Sequence, residues 1–356
     1  TVTLSATITT NPSSPLTSTQ WYSNGTAISG ATSSTYSWTP TTEGTYTIQV
    51  KATNGTGTTE SETKTVEVYS KPTITTASAT PLVQTNETVN LSVTATSNPD
   101  APITAYQWKV DGTAIPTATS ATSTWTPTAE GTYTITVDVT NKSGTTTSNS
   151  MTVEVYNKPV ISGVNASPTQ SAVGDVITLT STITSNEDAP ITNIQWYQND
   201  TAITSATTAN ATWTTTEEGV FTLKVTATNK SGTTTSETVT VNVYNPPVIS
   251  NVSVTPTTLE VGTEITLTST ITGNPSIQSI QWYSDTGVAI SGATTANATW
   301  TPTTEGTYHV FVTATSIGGI TSSTPVTVNV YNKPSITNVS ATPSIVEPDS
   351  TVSLSA

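Results

Sequence analysis

The chain has 356 residues, 9% of them charged, with nine Lys, no Arg, no Cys and a formal net charge of −14. That length exceeds one ordinary core and predicts two to four domains. A strong acidic excess without Arg argues against nucleic-acid binding, which needs clustered cations, and absent Cys excludes disulfides and thiolate chemistry.

No run approaches the ~20 apolar residues of a membrane helix. Thr and Ser together make up about 38% of the chain, far above ordinary usage. Read from residue 1, one unit recurs four times. Gln-Trp stands at Trp21, Trp108, Trp196 and Trp282, and a second Trp at Trp38, Trp125, Trp213 and Trp300. Glu-Gly precedes an aromatic at Tyr46, Tyr133, Phe221 and Tyr308. A linker signature closes each unit: Val68-Tyr69-Ser70-Lys71-Pro72, Val155-Tyr156-Asn157-Lys158-Pro159, Val243-Tyr244-Asn245-Pro246-Pro247 and Val330-Tyr331-Asn332-Lys333-Pro334. Four aligned landmarks at one period establish a tandem repeat.

The predicted units are 1–69, lacking its first strand, then 70–157, 158–245 and 246–332, with 333–356 opening a fifth or serving as a donor segment. The opening Thr1-Val2-Thr3-Leu4-Ser5-Ala6 and the closing Thr351-Val352-Ser353-Leu354-Ser355-Ala356 occupy the same repeat position. With no Met or leader pattern at Thr1, a natural start is not expected there. A window from a longer repetitive chain is the first expectation. A mature subunit whose tail completes a neighbour's first module is the second.

Within the second unit, Val89, Leu91, Val93 and Ala95 alternate with polar residues, as do Tyr133, Ile135, Val137 and Val139, and then Val153 and Val155. Period two marks half-buried strands. Turn signals separate them at Asn98-Pro99-Asp100-Ala101-Pro102, Asp111-Gly112 and Asn141-Lys142-Ser143-Gly144. About seven short strands per unit predict an antiparallel two-sheet sandwich. The fold class is therefore all-β, four sandwiches in an extended rod.

These residues resemble the immunoglobulin-like superfamily across the whole chain. Val89-Asn90-Leu91-Ser92-Val93 resembles its second strand, Trp108 its core Trp, Glu130-Gly131-Thr132-Tyr133-Thr134-Ile135 its tyrosine-corner strand, and Asn141-Lys142-Ser143-Gly144 its Asn-x-x-Gly hairpin. Antibody-type domains carry Cys where this chain has Val93 and Ile135, Ala6 and Ile48, or Ser181 and Leu223. The disulfide-free pattern is similar to the bacterial Ig-like and PKD-like repeats of prokaryotic and phage surface proteins. The Trp-Asp-Phe-Gly-Asp-Gly signature of PKD repeats is missing, and Phe221 lacks the hydroxyl of the tyrosine corner. All eight Trp are assigned to the cores, on the inward phase.

Candidate chemistry is sparse. His309 is the single His and alternates outward between Tyr308 and Val310; with no partner set it suggests no catalysis, metal site or cofactor. Glu187-Asp188, Glu217-Glu218 and Glu347 with Asp349 are the richest acidic clusters, matching neither a cadherin-like nor an EF-hand pattern; structural calcium stays a minor alternative to a solvated acidic surface. An isopeptide crosslink needs a buried strand Lys, whereas Lys224 alternates outward and the other Lys are assigned to loops or linkers. Sequons stand at Asn24, Asn54, Asn86, Asn90, Asn141, Asn165, Asn199, Asn210, Asn229, Asn251, Asn297 and Asn338, candidates for N-glycosylation. Tyr69, Tyr156, Tyr244 and Tyr331, each just before a Pro, are candidates to cover the seam between units and limit bending.

The sequence therefore points to a non-enzymatic extracellular structural protein: a cell-surface filament, sheath, S-layer or adhesin stalk, partnered with copies of itself and covalent glycan. A glycan- or protein-binding adhesion module and a phage tail or capsid fibre are the alternatives.

Overall fold

The computed structural model describes residues 1–355; Ala356, the last residue of the predicted 333–356 segment, lies outside them. The described residues form strands and turns without a helix. They divide into two compact units, residues 1–158 with 186–190, and residues 159–185 with 191 onward.

The second repeat, in the first unit, displays the full pattern. One sheet orders Thr122–Trp125, Val89–Thr96 and Thr73–Ala79. The facing sheet orders Thr113–Ala114, Ile103–Val110, Gly131–Asn141, Met151–Val155 and Leu82–Val83, with Gly144–Thr147 paired to Gly131–Asn141. That makes nine strand segments rather than about seven. Two of them, Leu82–Val83 and Thr113–Ala114, are dipeptides too short to show a period. Pro81 marks the crossing from Thr73–Ala79 to Leu82–Val83: lacking an N–H it cannot extend the antiparallel ladder, and its carbonyl accepts from Glu154 N at 2.8 Å. Leu82–Val83 then pairs parallel with Glu154 and Val155.

The third and fourth repeats, in the second unit, reproduce the three-stranded and six-stranded sheets. In the first repeat, Val2–Ser5 pairs with Thr35–Trp38 as a two-stranded sheet, opposite a five-stranded one. Near the C-terminus, Ser340–Thr342 pairs with Ser353–Ser355. The pairing of Ala341 with Leu354 repeats that of Ala79 with Leu91 and of Ala166 with Leu179.

Each core surrounds the first Trp. Trp108, Trp196 and Trp282 are fully buried and Trp21 nearly so. Their indole N–H groups donate to Ser120, Thr208, Thr295 and Ser33 carbonyls at 2.9–3.0 Å. The Gln before each Trp closes the same region: Gln107 Nε2 donates to the Trp108 and Ile115 carbonyls, both at 2.9 Å. So Gln-Trp is a structural pair, the amide satisfying carbonyls that burial strips of water.

The second Trp also packs against its core but is less fully covered. Trp213 is buried, but Trp38, Trp125 and Trp300 are only half-buried. Each of the three meets the next long strand's aromatic edge-on: Trp125 to Tyr133 is 5.0 Å at 75°. Tyr46, Tyr133 and Tyr308 donate to carbonyls four residues back at 2.8–3.0 Å. Phe221, lacking that hydroxyl, is itself buried, as is its neighbour Trp213.

Strand lysines are a second correction. Lys51, Lys64 and Lys109 lie in strands, not loops or linkers. None belongs to a core; Lys51 pairs outward with Glu60, and Lys109 with Asp138 at 2.6 Å.

Candidate functional site at the module joints

Two linkers lie wholly inside a unit: Ser70-Lys71-Pro72 in the first and Asn245-Pro246-Pro247 in the second. Both meet the hairpin that follows the longest strand of the next module. A common strut holds them. Thr146 Oγ1 donates to the Pro72 carbonyl at 2.6 Å, and Thr321 Oγ1 to the Pro247 carbonyl at 2.5 Å.

In the first joint, polar side chains do the rest. Asn141 opens the hairpin, where its Oδ1 accepts from Ser143 N at 2.8 Å. Its Nδ2 donates to the Ser70 carbonyl and Ser97 Oγ at 2.9 Å, and to the Ala101 carbonyl at 3.3 Å. Lys142 pairs with Glu67 at 2.9 Å and sits 4.3 Å above the Tyr69 ring. The Lys71 stem covers Gly144, whose φ of +128° suits a residue without Cβ. From the preceding module, Glu43 accepts from Ser70 N at 2.6 Å and from Asn98 Nδ2 at 2.7 Å. These hydrogen bonds, Ser70 first and then Asn98, hold its carboxyl below the usual value.

The second joint replaces nearly all of this. Its hairpin reads Ser316-Ile317-Gly318-Gly319 where the first reads Asn141-Lys142-Ser143-Gly144. Ser316 keeps the turn, accepting from Gly318 N at 3.0 Å. The linker carbonyl corresponding to that of Ser70 rests on Gly318 instead: a Cβ there would lie 1.9 Å from Asn245 O. Pro246 packs 3.4 Å from the Cβ position of Gly319; at Gly273, the counterpart of Ser97, the Cβ position lies 2.7 Å from Ile277 Cδ1 and 3.7 Å from Pro247 Cα. Glu218 accepts from Asn245 Nδ2 at 2.6 Å.

The junction tyrosines are unevenly placed. Tyr69 is half-buried under Lys142, with its hydroxyl 3.0 Å from Thr45 Oγ1. Tyr156 is 2% exposed and reaches Thr132 Oγ1 at 3.0 Å. Tyr244 is half-buried, while Tyr331 is 58% exposed.

Two sequon candidates are corrected. Asn141 and Asn229 are buried with their amides engaged, Asn229 Nδ2 donating to Ser185 Oγ at 2.9 Å, so the folded modules cannot present them to a sugar-transferring enzyme. Asn54 is half-buried and holds Thr56 N at 3.0 Å. The other nine, Asn24, Asn86, Asn90, Asn165, Asn199, Asn210, Asn251, Asn297 and Asn338, are exposed.

His309 is exposed, its Nδ1 3.2 Å from Asp285 Oδ1. Among the described residues no three His, Asp or Glu side chains gather in metal-binding reach, and the acidic clusters remain dispersed.

Sequence reasoning missed the Glu of the Glu-Gly-aromatic landmark. Glu43, Glu130, Glu218 and Glu305 each accept from the linker that follows their module. Glu130 takes Asn157 N at 2.6 Å, and Glu305 takes Asn332 Nδ2 at 2.8 Å. Its recurrence at one place in four repeats was the available signal. Gly318 was signalled only as a departure of the fourth hairpin from the Asn-Lys-Ser-Gly of the second and third.

Residues 69–155 match the PKD domain family. No curated protein sequence matches the chain. Among solved structures, the chain is similar to the N-terminal eight Ig domains of Down Syndrome Cell Adhesion Molecule, at 19% identity, 89% of this chain, 44% of that one and a TM-score of 0.37. It thus spans less than half of that fragment. It is also similar to an I-band fragment of titin (17% identity, 74% of this chain, 99% of that one, TM-score 0.48). A third similarity is to three N-terminal domains of the Highly Immunogenic Outer Capsid protein of bacteriophage RB49 (14%, 75% and 100%, TM-score 0.35).

Proposed function

We propose that this tandem array of immunoglobulin-like sandwiches is a non-enzymatic structural protein of an external surface, a spacer or filament component that works through its joints. The observation carrying this reading is where the chain spends its convergent polar side chains. Glu43, Asn141 and Thr146 close on one linker, and Lys142 on Glu67 and Tyr69 just before it, an arrangement suited to stiffening a chain. Domains of the PKD kind, matched by residues 69–155, fit an extracellular setting. The nine exposed sequons are available to carry N-linked sugar in that setting, and further copies of the chain are its natural partners.

Force spectroscopy on the full chain tests the reading. Modules in series unfold one at a time, each complete one releasing about 300 Å of chain at ~3.5 Å per residue. A single event for the whole chain, or turnover of a surface polymer by the purified protein, would overturn it.

A further inference from the structure

The fourth module's hairpin and its incoming linker are unusual together. Asn-Lys-Ser-Gly hairpins, at 141–144 and 229–232, belong to modules entered through Ser70-Lys71-Pro72 and Asn157-Lys158-Pro159. The Ser316-Ile317-Gly318-Gly319 hairpin belongs to the one complete module entered through Asn245-Pro246-Pro247. A third position changes with them, since Ser97 and Ser185 become Gly273. Three separate segments differ in step, and all three meet at one place.

Backbone conformation does not account for Gly318. The left-handed position of this hairpin is the residue after it: Gly144, Gly232 and Gly319 have φ of +128°, +126° and +121°. Gly318 itself lies outside that region, and its counterparts are Ser143 and Ser231. What forbids a side chain at Gly318 is the Asn245 carbonyl, 1.9 Å from the Cβ position. Such a distance cannot be absorbed by rotating a side chain, because the obstructing atom is backbone. The Cβ positions of Gly319 and Gly273 lie in ordinary contact with the Pro246 ring and Pro247 Cα, and the atom nearest to Gly273 is Ile277 Cδ1, 2.7 Å from its Cβ position.

In the first joint the equivalent carbonyl, of Ser70, stands off and is caught by the Asn141 amide, with Ser97 Oγ sharing the same donor. Ser316 is too short to do this, and Gly273 offers no hydroxyl. Each hairpin therefore suits one way of seating the linker carbonyl and obstructs or neglects the other.

We infer that residues 316–319, with Gly273, form a recognition surface specific for a Pro-Pro linker, so that the fourth module is built to follow residues 245–247 and the modules are not interchangeable in order. The inference concerns the fit between module and linker, and it holds whether or not the chain serves as a surface spacer.

The test uses the full chain. It has no Cys, so spin labels can be placed at Val220→Cys and Val288→Cys, which are 65% and 56% exposed and flank the second joint. A hairpin exchange alone (Ser316→Asn, Ile317→Lys, Gly318→Ser) broadens the inter-label distance distribution at least twofold. Adding Pro246→Lys and Gly273→Ser to the same protein restores the narrow distribution. The reciprocal Lys71→Pro variant, labelled at Thr26→Cys and Thr113→Cys, broadens the first joint and supplies an answer should the exchanged fourth module fail to fold. A hairpin exchange as narrow as the parent, a five-fold variant as broad as the hairpin exchange, or a Lys71→Pro joint unchanged in width would each overturn the inference.

Discussion

The two joints receive the same carbonyl by opposite means. In the first, the Ser70 carbonyl is held at hydrogen-bonding distance by Asn141, and Glu43, Lys142 and Glu67 surround the linker with charge. In the second, the Asn245 carbonyl is pressed onto bare Gly318 backbone, and Pro246 and Pro247 lie in contact distance of the Gly319 and Gly273 Cβ positions. The fold and the Thr-to-prolyl-carbonyl strut are common to both. A sandwich of this kind thus fixes where a joint forms but not how it is held. The hold is set by a four-residue hairpin and the residue opposite it.

The comparison breaks most completely if the module bearing one joint is removed. Trp108 is wholly buried among Val89, Leu91, Ile135 and Val137, and truncating a core Trp costs about 3–5 kcal/mol. Trp108→Ala should unfold the second module and expose 141–147 to rapid hydrogen exchange, while 316–322 stays protected. Protection lost in both places would show that the modules are not independent units.

Next in size is the steric contrast. A methyl group at Gly318 has only backbone to push against, and overpacking of this sort costs about 1–3 kcal/mol. The matching Ser143→Ala change removes a hydroxyl from a half-buried site and should stay within about 0.5 kcal/mol. Calorimetry of the two variants separates them; equal shifts would remove Gly318 from its special position.

Much of this architecture is legible before any coordinates. The Trp and Glu-Gly-aromatic landmarks mark the repeats, and period two marks the long strands, because both are local patterns repeated four times. Dipeptide strands such as Leu82–Val83 are not legible, since their identity comes from a partner 72 residues away, Glu154 with Leu82. The half-burial of Trp125 was hidden for a related reason: alternation gives the inward face of a sheet, not how fully neighbouring elements cover a ring on it. Asn141 shows the limit most clearly. Its sequon and its turn-forming spacing are both plain in the sequence, but which of the two matters depends on Ser70 and Ser97, brought to it only by folding.

Asn141 also supplies the next test. Asn141→Ala leaves the Ser70 and Ala101 carbonyls and Ser97 Oγ without this donor, at about 1–3 kcal/mol. Ser316→Ala removes only the acceptor of Gly318 N and should cost less, about 0.5–1.5 kcal/mol. If the serine change proved the more damaging, the second joint would owe its hold to the polar turn, not to close packing.

The smallest effect is the most diagnostic of the first joint's charge. Glu43 faces solvent, and its carboxyl is held below the usual value by the donors of Ser70 and Asn98. Because the folded value is depressed, its contribution is fully present above the ordinary Glu range and is lost as pH falls through the lower, folded value. Protonation leaves one good acceptor oxygen for two donors, so either the linker N–H or the Asn98 amide must let go. The other charges on the elements meeting there are Glu67, Lys142, Lys71, Lys64 and Asp100, with Glu67 and Lys142 paired. Glu43→Gln separates the two contributions, since it offers an oxygen to one donor and carries no titrating proton. Labels at Thr26→Cys and Thr113→Cys should report a joint that widens in the parent as pH falls below the ordinary Glu range. In Glu43→Gln the joint should be partly widened at neutral pH and respond less to acid. An acid response of undiminished size in that variant would assign the charge dependence to Glu67 and Lys142 instead.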